Sequence, residues 1–126
     1  MANDKDFKVG TSIKPKRYLE ALGTVVSTSG SVDTLDLSTG SVFNYTPTAS
    51  KEIQISNPAT SGTNSGAVLL INGTASGYAT TYHSSIKFSG GTAPTSPANG
   101  ETDLITLDTT DGGTTYLASH AIDGAS

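Results

Sequence analysis

The chain has 126 residues, no Cys, no Trp and a formal net charge of −4; 37 positions are Ser or Thr and 14 are Gly, against 25 Leu, Ile, Val or Phe. Without cysteine there is no disulfide framework, thiolate zinc site or cysteine nucleophile, and the longest apolar run, Ala67–Ile71, is far short of the roughly 18–20 residues of a membrane helix. A thin-cored single domain that gains from oligomerisation is expected, and the acidic balance disfavours a phosphate-driven nucleic-acid binder.

Charge divides the chain. Residues 1–20 carry Lys5, Lys8, Lys14, Lys16 and Arg17 against Asp4, Asp6 and Glu20, whereas residues 21–126 carry Lys51 and Lys87 against eight carboxylates. The opening Met1–Asp6 lacks the apolar stretch of a secretory signal. Pro15 interrupts any helix and pushes the preceding residue towards extended geometry. Residues 1–21 are therefore expected to form an extended N-terminal arm, and residues 22–126 a β-sandwich domain. In the arm Phe7, Val9, Ile13 and Tyr18 alternate with Lys14, Lys16 and Arg17, a mixture suited to a strap docked on a neighbouring protein. Docking on protein is preferred to nucleic acid because the body is acidic.

From Leu22 onward short β-rich runs are separated by turn residues. Val25–Val26, Val32–Leu37 and Val42–Tyr45 come first, with a bulge or bend expected near Asp33–Thr34, where apolar alternation breaks. Lys51–Ser56 alternates cleanly, with Ile53 and Ile55 on one face. Ala67–Ile71 is continuously apolar, as in a central strand covered on both faces. Tyr78–Tyr82 and Ser84–Phe88 follow, then a long loop from Ser89 to Gly100. Asp103–Asp108 and Thr114–Ala118 flank Thr109–Gly113, whose Asp-Gly-Gly supplies the positive φ angles of a hairpin turn. Eight or nine short strands with no helix predict an all-β fold, an antiparallel β-sandwich or jelly roll.

Catalytic patterns are missing from the sequence. His83 and His120 have neither His-x-His nor His-x-x-x-His spacing and read as satisfied or surface side chains, so no metal or other cofactor is expected. Asp108-Thr-Thr-Asp111 lacks both the alternating acids and the terminal Glu of a calcium loop and reads as a turn. No Gly-x-Ser-x-Gly elbow, phosphate loop or dinucleotide fingerprint occurs. Nothing beyond composition supports Glu52 or Glu101 in a glycosidase pair. A protein that is not an enzyme is expected.

Three stretches are familiar in their order: Leu35-Asp-Leu-Ser-Thr-Gly-Ser-Val-Phe43, Ser56-Asn-Pro-Ala-Thr-Ser-Gly-Thr63, and Ile86-Lys-Phe-Ser-Gly-Gly-Thr-Ala-Pro-Thr95 followed by Asp103–Tyr116. Over about residues 23–118 this order resembles a β-domain recurrent in structural proteins of tailed bacteriophages, tail-fibre-like and head-associated, many of them from marine and cyanobacterial phages. The opening Met1–Val9 is similar to the start of such proteins. Where many relatives carry Trp, this chain has Phe88 and Tyr116. The resemblance implies a virion structural protein assembled in the bacterial cytoplasm, a compartment that suits the absence of Cys. Its expected form is a trimeric capsid decoration (cement) protein, a homo-oligomer anchored to the major capsid protein through Phe7, Val9, Ile13, Lys14, Lys16, Arg17 and Tyr18, with no nucleic-acid or membrane partner. The alternative is a tail-fibre or receptor-facing module that binds host surface glycans through loops such as Ser89–Gly100.

Overall fold

The computed structural model describes residues 16–17 and 19–126. Nine strands run in chain order: β1 (Thr24–Ser27), β2 (Val32–Asp36), β3 (Val42–Tyr45), β4 (Lys51–Ser56), β5 (Ser65–Asn72), β6 (Thr80–Tyr82), β7 (Ile86–Phe88), β8 (Thr102–Thr109) and β9 (Tyr116–Ala125). They form a four-stranded sheet, β1-β2-β4-β6, and a five-stranded sheet, β3-β5-β8-β9-β7. The all-β expectation holds, and the strands lie near the expected runs except the last, which continues past the expected Ala118 to Ala125. No helix of the described residues is long and apolar enough to cross a membrane.

The sheets are mixed rather than wholly antiparallel. From β3 to β7 each strand lies in the sheet opposite its predecessor. Two such crossings return the chain to its starting sheet in its original direction. Hence β2 and β4, β4 and β6, and β3 and β5 pair in parallel. Parallel neighbours need a crossover of about a dozen residues or more, and here the intervening strand and its two loops supply it. The β8–β9 hairpin then inserts between β5 and β7, with β8 antiparallel to β5 and β9 parallel to β7.

Leu35, Phe43, Ile53, Leu69, Ile71, Ile105 and Tyr116 are almost fully buried in one cluster between the sheets. Fully burying a side chain of this size contributes about 1.5–3 kcal/mol. The backbone closes tightly at Gly73, where a Cβ would lie 1.8 Å from the Ala98 carbonyl oxygen, so the loop after β5 accepts no side chain there.

Two local expectations are corrected. β2 has no bulge: Val32–Asp36 pairs with Glu52–Ser56 in unbroken register. Its alternation is regular once Asp33 is counted as an inward residue, since Asp33 and Leu35 are both buried. β5 is central but not covered on both faces. Ala67, Leu69 and Ile71 point into the core, while Val68 and Leu70 remain half-buried on the outer face.

Candidate functional site

Inward-facing polar groups from both sheets collect towards one end of the sandwich. Lys51 begins β4 and Asp33 lies on neighbouring β2; Lys51 Nζ is 2.8 Å from Asp33 Oδ1, and both side chains are buried. Lys51 also donates to Ser27 Oγ and to the Thr28 carbonyl. Ser27 Oγ donates to Asp33 Oδ1, and from the opposite sheet Tyr45 Oη donates to Asp33 Oδ2 at 2.9 Å. Burial pushes the Asp33 carboxyl up, but the hydrogen bonds from Lys51, Ser27 and Tyr45 and the Lys51 charge outweigh it and leave its pKa lowered. Burial, then the Asp33 hydrogen bond and charge, push the Tyr45 phenol up. Each polar atom here has a partner, so this cluster reads as a structural tie between the sheets.

The second cluster is built by irregular pairing of β8 and β9. From Asp108↔Leu117 to Ile105↔His120 the register is regular; it then shifts before Leu104↔Ile122 and again before Thr102↔Ala125. Each shift places an extra residue on β9, and a bulge re-aims the side chains beyond it. With a period of two, the extra residue between His120 and Ile122 puts Ile122 on the outer face and Asp123 on the inner one. Asp103, two residues before Ile105, is the diagonal neighbour of His120 on that inner face.

Ligand-type atoms of Asp103, His120 and Asp123 all lie within 4.8 Å of one another. Asp103 is 1% exposed; its Oδ1 accepts a 2.8 Å hydrogen bond from the Gly124 amide, whose φ of 63° suits glycine. Its Oδ2 stands 3.1 Å from His120 Nε2. The contact is an ion pair when the imidazole is protonated, and both atoms are buried without a hydrogen-bond partner among the described residues. Burial pushes the nearby Tyr82 phenol up, with the charge on Asp103 adding to the effect.

His120 also lines an open cleft of about 380 Å³ with Phe88, Ser89, Thr92, Ala93 and Pro94. This cleft lies against the loop between β7 and β8, and Phe88 packs edge-on to Tyr82 with ring centroids 4.9 Å apart.

The other side chains singled out in the sequence sit apart from this cluster. His83 Nδ1 accepts from the Ser85 amide and lies 2.9 Å from Ser85 Oγ, so it is satisfied within the β6–β7 turn. Asp111 Oδ1 accepts from the Thr115 amide and Thr109 Oγ1, closing the β8–β9 turn, while Asp108 accepts from Asn64. The backbone hydrogen bond from Thr115 is the leading cause that lowers the Asp111 pKa. Glu52 accepts from Gln54 and Glu101 from the Ala98 amide. Of the arm residues, Lys16 and Arg17 are exposed, whereas Phe7, Val9, Ile13, Lys14 and Tyr18 lie outside the described residues.

Sequence spacing misses the Asp103–His120–Asp123 cluster because a β-ladder, not a local motif, joins its members. The Thr109–Gly113 turn places His120 opposite Ile105, yet the two bulges that turn Asp123 inward have no signature in the strand pattern.

The fold and its polar clusters define a two-sheet, mixed β-sandwich. No protein-family model matches the chain, and neither does any curated protein or solved structure.

Proposed function

We propose that this protein is a non-enzymatic structural component of a tailed-phage virion, a trimeric capsid decoration protein whose N-terminal arm, residues 1–21, anchors it to the major capsid protein. The reading rests on the sequence resemblance and on one structural observation, an apolar ladder across the outer face of the five-stranded sheet. Leu70 pairs with Leu104 and Leu104 with Ile122, so adjacent strands present three aliphatic side chains in a row. Ile122 is 45% exposed and Leu117, on the same strand and face, 68% exposed. A thin-cored domain gains about 25 cal/mol for each Å² of such surface that a neighbouring copy covers. The arm enters beside this face: Glu20 lines a groove there with Val42, Val68, Thr106 and Asp108. Leu19 and Leu22 are exposed next to it, and Leu22 bridges to Val42 on edge strand β3. Residues 20 and 22 thus lie beside the outer face that the proposed oligomer would cover.

Quantitative mass spectrometry of purified virions tests the assignment. A copy number equal to that of the major shell protein, or a simple fraction of it, supports decoration. A handful of copies per particle moves the chain to the tail. The cleft between Phe88, Pro94 and His120 favours the second reading, a receptor-facing module that binds host glycans. Saturable binding on a glycan array, together with low copy number, would establish that reading instead.

A further inference from the structure

We propose that Asp103, His120 and Asp123 bind one divalent transition-metal ion of the zinc type where the bulged end of β9 meets β8. Three ligand atoms converge within 4.8 Å, and the buried Asp103 carboxylate supplies an independent reason for an ion there. Its Oδ1 is held by Gly124, whereas its Oδ2 and the facing His120 Nε2 are both shielded from water and unpartnered among the described residues. A structural aspartate–histidine pair at 3.1 Å would turn the ring to share a hydrogen bond. Here the two atoms lie 3.1 Å apart with no hydrogen bond between them, a spacing that two ligands of one cation can share. Zinc bonds of about 2.0–2.1 Å in a tetrahedron put neighbouring ligands roughly 3.3 Å apart, close to the observed 3.1 Å separation. Asp123 is exposed, so its carboxylate can rotate to close the third position, leaving the fourth to water.

The donor set selects the metal. One imidazole with two carboxylates suits zinc, whereas calcium and magnesium favour all-oxygen shells and copper(I) favours sulfur. The ion would clamp the last residues of β9 to β8 where two register shifts interrupt the ladder, adding to the Leu104–Ile122 pairing and the Gly124–Asp103 hydrogen bond.

Calorimetric titration of the chelator-stripped full chain with zinc chloride near neutral pH tests the site, with cobalt(II) absorption as a second readout. The expected result is one zinc per chain, tetrahedral cobalt bands, and a thermal midpoint raised by about 5 °C at saturating zinc. Asp123→Asn changes an exposed side chain, so it keeps the fold. It and His120→Gln should each weaken zinc binding at least about tenfold, while His83→Gln leaves it unchanged. Two results would overturn the site: wild-type chain that takes up no zinc saturably, or zinc binding that persists unweakened in both Asp123→Asn and His120→Gln.

Discussion

Asp33 occupies a position where a half-buried strand normally places an apolar side chain, and its carboxylate is tolerated because Lys51, Ser27 and Tyr45 all donate to it. Removing one partner from a buried ion pair leaves the other charge stranded, at a cost of about 3–5 kcal/mol. Asp33→Asn is therefore expected to lower stability by that order in chemical denaturation. Replacing both partners, Asp33→Leu with Lys51→Met, should recover part of the loss, because an apolar pair removes both charge-desolvation penalties while the Tyr45 hydroxyl loses its acceptor. The same carboxylate shapes the acid limb. Folding lowers the pKa values of Asp33, Asp36 and Asp111 below the ordinary aspartate value. The folded state therefore binds fewer protons than the unfolded chain as pH falls through that region. The stabilisation from these groups is present above the unfolded pKa and is lost as pH falls through the lower folded values. Thermal midpoints measured from neutral pH downward should stay level and then drop below about pH 4. In Asp33→Asn the drop should be shallower, and an unchanged slope would contradict the assignment.

Strand β9 decides where its last side chains point. The extra residue between His120 and Ile122 changes the parity of everything after it, so Ile122 joins the outer ladder and Asp123 turns inward. Deleting the exposed Ala121 should restore regular pairing, drive Ile122 towards the polar layer around Asp103 and carry Asp123 away from Asp103 and His120. We expect destabilisation of about 1–3 kcal/mol in denaturant titration. Ala121→Ser, which keeps the bulge, should stay within about 0.5 kcal/mol of wild type. Much of the element level is legible in sequence: Lys51–Ser56, Val42–Tyr45 and the Thr109–Gly113 turn follow from alternation and from glycines at positive φ. The β9 bulges are not legible, because an extra residue in a strand of small and polar side chains does not disturb any apolar period. Asp33 misleads for the opposite reason. It breaks the apolar alternation of β2 without breaking its geometry.

For the molecule as a whole, the proposed trimer places Leu70, Leu104, Leu117 and Ile122 against a second copy. Ile122→Glu with Leu117→Lys should convert the assembly to monomers in light scattering while leaving the far-ultraviolet circular dichroism unchanged, since both side chains are exposed in the isolated chain. A trimer that survives both changes would move the interface elsewhere. Composition, turn residues and short-range alternation are local properties. They determined that the chain is all-β and where most of its strands run, whereas the outward turn of Val68 and Leu70 and the extension of β9 to Ala125 needed the tertiary structure. The parallel pairing, the partner of each buried charge and the meeting of Asp103 with His120 and Asp123 were decided only by tertiary structure. Those features depend on which strand lies beside which and in what register, and hydrogen bonds between residues far apart in the chain set both.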